Sequence, residues 1–251
     1  MTGIDPAVLS RLQAALISTA GGYLRNPVRQ AFSTCSVCTT PAPGFMRCFR
    51  CKQDAEAGLP TADLVAPMTY AVKNMQTGWV MHGYKAPHPL AEHRLVVQLL
   101  ALCGVAAHTA CAAKLIGSDV THWSTVPSLP AKPGGQHPLR TLVASAAVGT
   151  EVTLTAAPTC QDSRAFNLAH FSAAPLPPGA HVLLIEDTWA GGGHTQSAAA
   201  ALKQAGAQRV SAIVVARWLR LDYGNNLTWA KSTLTSDYDV DVCPFTGAAC
   251  P

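Results

Sequence analysis

The sequence predicts an α/β fold, in which a parallel, doubly wound sheet is joined to a small N-terminal zinc-ribbon module. Three observations support this prediction. Short apolar runs alternate with helix-like segments along the C-terminal half of the chain, which is the order of a parallel sheet covered by helices on both faces. One of these runs, residues 182–185, is followed directly by two acids, a glycine turn and a helical pattern. Two Cys-x-x-Cys pairs precede the sheet, as in small zinc-binding modules.

The composition is that of a globular protein with one or two domains. Of its 251 residues, 49% are hydrophobic, and the formal net charge is +4, which does not by itself imply a nucleic-acid partner. The N-terminus lacks a basic segment followed by an apolar one, so we expect no signal peptide and a cytoplasmic protein. Nine cysteines without an export signal favour metal binding or free thiols over a disulfide framework.

Residues 95–113 are long and apolar enough to suggest a membrane span. The stretch contains Gln98, Gly104 and His108, and no second span accompanies it. These polar and small residues favour a helix buried inside the α/β domain, so we expect no membrane association.

The four-cysteine module is predicted to lie, with an N-terminal helix, in residues 1–60, and the second domain to span residues 61–251. Two Cys-x-x-Cys pairs at this separation are typical of a structural zinc site, in which four thiolates form a closed tetrahedral shell. Two redox-active pairs are the alternative. The predicted metal ligands are Cys35, Cys38, Cys48 and Cys51.

The remaining elements are predicted from periodicity and turn residues. The first helix should begin with Asp5 as its N-cap and Pro6 in its first turn. Strand 182–185 should lie in the middle of the sheet with parallel neighbours. The other predicted elements are a β-hairpin (68–84), a long buried helix (90–115), a strand (120–126), a helix (137–148), a strand (152–156), a helix that Gly206 ends, and a strand (210–215).

The stretch around residues 182–185 carries the clearest functional signal. Glu186 and Asp187 follow the apolar run, and residues 190–193 form a small-residue turn before a helix. Backbone N–H groups in such a turn and at a helix start form a nest for an oxyanion, usually phosphate. A site that holds a ribose 5-phosphate needs the two acids first and the phosphate-binding turn second, so that the carboxylates bind the 2- and 3-hydroxyls. The alternative is a tight loop that binds no ligand.

Two other nucleotide-binding motifs are excluded by the same stretch. A P-loop requires a lysine directly after its glycines, and none follows these glycines. A dinucleotide fingerprint places its acid about 20 residues after the glycines, whereas here the acids come first.

The chain as a whole resembles the ComF family, whose members join a four-cysteine zinc ribbon to a type I phosphoribosyltransferase domain. Its acidic pair and turn resemble the motif with which such transferases bind 5-phosphoribosyl 1-pyrophosphate (PRPP). The matching segments are the four cysteines, Tyr84-Lys85, Val126-Pro127-Ser128, Arg164, Asn167, Phe171, the motif from Glu186 to Thr195, Gly206-Ala207 and Ala216-Arg217.

This resemblance implies a sheet of the type I phosphoribosyltransferase kind and an enzyme that binds PRPP with Mg²⁺. The phosphoribosyl group would pass to an acceptor that no residue identifies, with release of pyrophosphate. Glu186 and Asp187 would be the catalytic pair, and the zinc would be structural. The residues implied in PRPP binding are Ser128, Leu129, Lys132, Arg164, Thr188, Ala190, Gly191, Gly192, Gly193, His194 and Thr195.

The sequence departs from the family pattern in two loops. The threonines usual in the phosphate turn are replaced by Ala190 and Gly191, which removes hydroxyl donors to phosphate. The arginine-rich segment after the first core strand is reduced to residues 131–138. Both changes weaken the expectation of efficient catalysis but leave the backbone cradle in place. His194 could replace a lost donor, or could simply stand at an exposed helix start.

A binding or accessory role is the alternative to an enzyme. ComF proteins are associated with DNA uptake, so the ribbon would be a docking surface for single-stranded DNA or for a DNA-processing protein. Arg47, Phe49, Arg50 and Lys52 interleave basic and aromatic side chains, as a single-stranded DNA contact would. A solvated ribbon face is the other interpretation of these residues.

The other cysteines give weaker signals. Cys243 and Cys250 lie in a C-terminal tail and could add a second metal site, but no matching pair is evident in the sequence. Free thiols, or a clasp of the tail onto the domain, are favoured. The remaining cysteines, Cys103, Cys111 and Cys160, are predicted to be small core residues.

Overall fold

The structure is a computed structural model that describes residues 4–85, 87–131 and 137–251. Its strands are β1 (Leu64–Val72), β2 (His122–Thr125), β3 (Thr150–Glu151), β4 (Leu154–Ala156), β5 (Phe171–Ala173), β6 (His181–Trp189) and β7 (Arg209–Leu219). Five of them form one sheet in the order β1-β7-β6-β2-β3, and every pairing in it is parallel. The predicted α/β fold with a parallel sheet is confirmed.

The helices are distributed along the whole chain. Asp5 caps the first of them as predicted, since its carboxylate accepts a 2.7 Å hydrogen bond from the N–H of Ala7. The helices are α1 (Pro6–Ala20), α2 (Phe49–Glu56), α3 (Gln76–Gly83), α4 (Ala91–Ile116), α5 (Pro138–Val143), α6 (Gly193–Gln204) and α7 (Asn226–Thr233).

Strand β6 lies in the middle of the sheet, parallel to both of its neighbours, β7 and β2. This confirms the prediction for residues 182–185, which are completely buried. The strand continues to Trp189, so Glu186 and Asp187 lie within the strand, near its C-terminal end, rather than beyond it. Their backbones are therefore held by the sheet, which gives the two carboxylates a rigid support.

The two faces of the sheet carry different layers. Because successive side chains of a strand point to opposite faces, Leu183 and Ile185 pack into a core that also contains residues of α1 and α4. Val182 and Leu184 pack on the other side, against α6 and the cysteine module. The helices thus cover both faces, as expected for a doubly wound sheet.

Helix α4 matches the predicted long buried helix. It is long and apolar enough to cross a membrane by length and composition, but 67% of its most apolar window is buried inside the protein. Gly104 allows it to approach the sheet closely, because a Cβ atom there would lie 2.9 Å from Met68 Sδ and 3.2 Å from Ile213 Cγ2. The burial fits the core-helix interpretation.

The predicted β-hairpin of residues 68–84 is wrong. Residues 64–72 form β1, which pairs in parallel with β7, and residues 76–83 form α3. The chain leaves the strand at Asn74, whose φ is +64°, and the N–H of Val72 donates to the Thr77 hydroxyl at 2.9 Å. The alternation in the sequence is that of a single strand, and its partner is distant in sequence.

Two further elements differ from the predictions. The helix predicted for residues 137–148 ends at Val143, and Gly149, with φ of +89°, turns the chain into β3. The strand predicted at 152–156 is β4, which pairs antiparallel with β5 in a separate two-stranded sheet. Its partner, β5, lies between β4 and β6 along the chain.

Candidate functional site

A cavity of about 290 Å³ opens at the carboxyl edge of the sheet, where β6 ends. Every predicted ribose-phosphate residue that the structure describes lines it, whereas Lys132 lies outside the described residues. The lining residues come from separate segments of the chain: Lys85, Ser128, Leu129, His137, Ser163, Arg164, Glu186, Asp187, Thr188, Ala190, Gly191, Gly192, Gly193, His194 and Thr195.

Asp187 is the most heavily contacted side chain of the site. It is 3% exposed, and its Oδ2 accepts hydrogen bonds from the Tyr84 hydroxyl and the Lys85 ammonium. His137 Nε2 lies 3.4 Å from the same oxygen. Burial opposes ionisation, but the hydrogen bond from His137 and the charge of Lys85 more than offset it, so the pKa of Asp187 lies well below its ordinary value. Asp187 is therefore a carboxylate at neutral pH.

Glu186 points to the opposite face of β6, toward helix α6. It is 2% exposed, and its Oε2 lies 2.8 Å from His194 Nδ1. Burial favours the neutral imidazole, but the charge of Glu186 more than offsets this effect and raises the pKa of His194 above its ordinary value. The His194 ring also meets Phe171 edge to face at 5.2 Å between ring centroids. The two acids thus reach one cavity from opposite faces of the strand, and each is paired with a basic group.

The turn after β6 requires glycine at two positions. Gly192 has a φ of +88°, and a Cβ atom there would lie 2.4 Å from the Trp189 ring. A Cβ atom on Gly193 would lie 2.1 Å from the carbonyl oxygen of Arg164. These close approaches set the shape of the turn, and they explain both glycines without a ligand.

The start of α6 supplies hydrogen-bond donors at the cavity wall. The first N–H groups of a helix have no partner inside the helix, and the helix dipole favours an anion there. Thr195, which is 1% exposed, has a buried hydroxyl with no hydrogen-bond partner among the described residues. An oxyanion in the cavity would satisfy both features.

Arg217 holds the end of the site in place. Its Nη1 donates to the carbonyl oxygens of Trp189, Ala190 and Trp218 at 2.7–2.8 Å. These bonds tie the last residues of β7 to those of β6. Arg217, which is part of the resemblance noted in the sequence, thus stabilises the turn after β6.

Four residues at the site were not predicted as part of it: Lys85, His137 and Ser163, which line the cavity, and Tyr84, which donates a hydrogen bond to Asp187. Three of these contact Asp187 or lie beside it. The family resemblance included the Tyr84-Lys85 pair without assigning it a role. No spacing in the sequence links this pair to Asp187, because helix α4 and strand β2 separate the two segments along the chain.

The four cysteines of the N-terminal module converge on one point. Their sulfur atoms lie within 4.8 Å of one another, and Cys38 Sγ and Cys48 Sγ are 3.8 Å apart. Two thiolates on one tetrahedral zinc ion, each about 2.3 Å from it, are about 3.8 Å apart. The structure therefore brings the predicted ligands, Cys35 and Cys51 included, together as a candidate zinc site. Convergence of all four is the arrangement of a metal site rather than of two separate redox pairs.

Local structure positions these ligands. Cys48 is the N-cap of α2 and Cys51 lies in its first turn, where the helix dipole favours negative charge. At the other pair, the N–H of Cys35 donates to the Thr40 carbonyl at 2.8 Å and the N–H of Thr39 donates to the Cys35 carbonyl at 3.0 Å. The module is thus a turn followed by a helix start.

The module is packed onto the sheet domain. The buried hydroxyl of Tyr70, on β1, donates to the Thr39 carbonyl at 2.7 Å. The side-chain oxygen of Gln196, on α6, accepts from the N–H of Ala62 at 2.8 Å. Both bonds attach the cysteine module, or the segment just after it, to elements that position the cavity.

A groove of about 600 Å³ separates the module from the end of β7. Three of its aromatic residues are strongly exposed: Phe45 (67%), Phe49 (76%) and Tyr223 (69%). Its basic lining residues are Arg47, Arg50, Lys52, Arg217 and Arg220.

Three of the basic residues in this groove already have acidic neighbours. Arg50 lies 3.8 Å from Asp54, Lys52 lies 3.7 Å from Glu56, and Arg220 lies 2.9 Å from Asp222. The groove therefore combines exposed aromatic rings with basic residues whose charge is partly balanced by neighbouring acids.

Comparison with known proteins adds no assignment to these sites. Neither a scan against protein-family models nor a search of the curated proteins finds a match for this chain.

Proposed function

We propose that the chain is a ComF-type protein that binds PRPP or another ribose 5-phosphate, together with Mg²⁺, in the cavity at the end of β6. The observation that carries the proposal is the convergence, in one cavity, of the buried pair Glu186 and Asp187 with the glycine turn and the start of α6. The proposed fold of the second domain is the type I phosphoribosyltransferase kind.

The 5-phosphate would lie against the turn from Ala190 to Thr195. Backbone N–H groups at the start of α6 and the unpartnered hydroxyl of Thr195 would donate to its oxygens. Glu186 and Asp187 would accept hydrogen bonds from the ribose hydroxyls, because an ionised acceptor forms the stronger bonds to such donors.

The pyrophosphate would lie on the other side of the cavity, near Lys85, His137 and Arg164, which line it. Lys85 now pairs with Asp187. A ligand with several negative charges would compete for this ammonium and release Asp187 to accept from the ribose. The basic lining thus serves an anionic ligand better than it serves a neutral one.

The acidic pair is of the type that holds Mg²⁺, which is usually bound by one or two carboxylates and by substrate phosphates. Since Glu186 and Asp187 each pair with a basic group, we expect the ion to enter with the ligand rather than before it. When bound, Mg²⁺ would stabilise the charge of the departing pyrophosphate. In the transfer, the bond from the anomeric carbon to the pyrophosphate oxygen breaks, a bond to the acceptor forms, and pyrophosphate leaves with the electron pair.

Isothermal titration with PRPP, in the presence and absence of Mg²⁺, tests the ligand. We expect binding that requires Mg²⁺ and is weaker for ribose 5-phosphate, which lacks the pyrophosphate. A separate assay of pyrophosphate release with candidate acceptors tests turnover. Absence of binding to both compounds would contradict the proposal, whereas binding without release would support a PRPP-binding protein that is not a transferase.

A second candidate function, single-stranded DNA binding, is favoured by the groove beside the cysteine module. Its exposed rings, Phe45, Phe49 and Tyr223, stand among basic residues, and stacking on such rings is tolerant of base sequence. The groove also reaches Ala190 of the phosphate turn, so a strand bound there would meet the edge of the cavity.

Fluorescence anisotropy with a labelled single strand tests this candidate. The double substitution of Arg47 and Phe49 by Ala should abolish binding, and affinity should fall as salt is raised. The control is Arg11→Ala, an exposed charge on α1, across the sheet from the groove. Equal affinity in all three proteins would exclude the groove as the DNA site.

A further inference from the structure

A second group of metal-ligand side chains lies on the opposite side of the sheet from the cysteine module. Helix α4 contributes His108 and Cys111, and the C-terminal tail contributes Cys243 and Cys250. One ligand atom from each of the four lies within 4.8 Å of the others. Three of the four residues are buried and Cys250 is exposed.

The distances fit a tetrahedral ion. His108 Nδ1 lies 3.7 Å from Cys111 Sγ and 3.6 Å from Cys250 Sγ. With Zn–S about 2.3 Å and Zn–N about 2.0–2.1 Å, a nitrogen and a sulfur ligand on one tetrahedral zinc are about 3.6 Å apart. His108 and Cys111 are three residues apart on one helix, so their side chains share a face.

The tail is held in the conformation that presents its two cysteines. The N–H of Cys243 donates to the Ala248 carbonyl at 2.7 Å, and the N–H of Gly247 donates to the Cys243 carbonyl at 2.8 Å. Gly247 has a φ of +74°, which glycine adopts without strain. This closed turn brings the end of the tail back toward α4, where Lys114 Nζ donates to the Pro251 carbonyl at 2.8 Å.

Arg29 links the tail to the four-cysteine module. Its Nε donates to the Pro244 carbonyl at 2.6 Å, and its Nη1 donates to the Ser36 carbonyl at 3.1 Å. Arg29 Nη2 donates to the carbonyl oxygen of Val65, on β1. One half-buried guanidinium thus connects both cysteine-bearing segments with the edge of the sheet.

We propose that His108, Cys111, Cys243 and Cys250 form a second structural zinc site, which fastens the C-terminal tail to helix α4. Three thiolates and one imidazole make a closed shell without an open position, as in structural Cys₃His sites. Metal binding would supply the free energy that holds the tail, and the tail in turn covers the core through Tyr238 and Phe245.

Metal analysis of the purified chain tests this site. We expect two zinc ions per chain in the wild type and one in Cys250→Ser, where an exposed ligand is changed with little effect on the core. Cys48→Ser should also retain one ion, and the double variant none. Cys160→Ser, at a half-exposed cysteine outside both groups, is the matched control and should retain two.

Two further measurements keep the test decisive if a variant folds poorly. Cobalt titrated into metal-free wild type should show tetrahedral thiolate spectra with two equivalents bound, and hydrogen exchange of residues 243–251 should slow when metal is added. Alkylation of the denatured, chelated chain without reductant should modify all nine cysteines.

Two results would overturn the proposal. One zinc ion per chain in the wild type, unchanged in Cys250→Ser, would show that the second group binds no zinc. Alkylation of two cysteines fewer would show that a disulfide closes the tail instead. His108→Gln distinguishes a zinc site from a disulfide, because the substitution should release a zinc ion but leave a disulfide intact.

Discussion

The four-cysteine module and the cavity at the end of β6 are assembled in different ways. The module takes its ligands from one short stretch, residues 35–51, and a turn and a helix start position them. The cavity takes its residues from segments that are distant in sequence, with Asp187 contacted by Tyr84, Lys85 and His137. A site whose residues come from one short stretch can be predicted from their spacing alone. For a site whose residues come from distant segments, the sequence predicts only those residues that are close together in the chain.

The His108 group is intermediate between these two. Its helix half is local, with ligands three residues apart, but its tail half comes from the other end of the chain. The same chain thus contains a candidate metal site from one short stretch, a candidate metal site from two distant segments, and a cavity lined by several distant segments.

Cys48→Ser should have the largest effect. Removing one of four thiolates leaves an incomplete shell, and zinc binding in such modules supplies about 10–16 kcal/mol of folding free energy. We expect loss of one zinc ion and early hydrogen exchange in residues 30–55. Because Cys35 and Cys38 belong to the same core as Val182 and Leu184, the midpoint of thermal unfolding should also fall. An intact midpoint with full zinc content would show that Cys48 is not a ligand.

Gly193→Ala should destabilise the glycine turn between β6 and α6. The added Cβ would lie 2.1 Å from the Arg164 carbonyl oxygen, so the two backbones must separate, at a cost of about 1–3 kcal/mol in the free energy of unfolding. Urea unfolding measures this change. The matched control is Gly191→Ala, where the nearest atom would lie 3.9 Å away. Equal stability of the two variants would mean that the turn is looser than the structure shows.

Asp187→Asn should weaken binding of PRPP and Mg²⁺ about ten- to a hundredfold, because the shape is kept and the charged acceptor is lost. Titration of wild type and variant measures the ratio, and zinc content should be unchanged. Asp119→Asn, an exposed carboxylate, is the control. Equal affinity with a lower unfolding midpoint would mean that Asp187 only supports the loop, and the ribose assignment would then be abandoned.

The same carboxylate predicts how stability depends on acid. The folded pKa of Asp187 lies well below its unfolded value, which is about 3.9. Its stabilising contribution is therefore present above that unfolded value and is lost as the pH falls through the folded pKa. Unfolding of wild type and Asp187→Asn between roughly pH 5 and pH 2 should show a steeper loss for the wild type. Parallel curves would contradict the pairing with Lys85 and His137.

His194 should give the smallest effect, with the opposite sign. Its folded pKa is raised by Glu186, so its contribution is fully present below the unfolded value of about 6.5 and is lost as the pH rises through the folded pKa. His194→Gln should remove this part of the pH dependence of the unfolding midpoint. His88→Gln, at an exposed histidine, should leave it unchanged. An unaltered profile in His194→Gln would mean that the imidazole is neutral in the folded protein.

Local features of the protein, which depend on residues close together in the chain, could be predicted from the amino-acid sequence. The grouping of four cysteines as candidate zinc ligands, the strand–acid–glycine–helix order around residues 182–204 and the cap of α1 at Asp5 were all predicted, and the structure has them. Each depends on spacing, periodicity or a single turn, which are properties of a short stretch of chain.

Pairings between distant segments, in contrast, could not be predicted and became visible only in the folded protein. The alternation in residues 68–72 predicts a strand, but whether its partner follows at once or lies at 209–219 depends on packing, so the hairpin was wrong. The basic partners of Asp187 and the tail cysteines beside His108 likewise come together through the fold. The local sequence around a charged residue or a metal ligand does not reveal a distant partner, because the free energy that brings the two together comes from burial of the whole core.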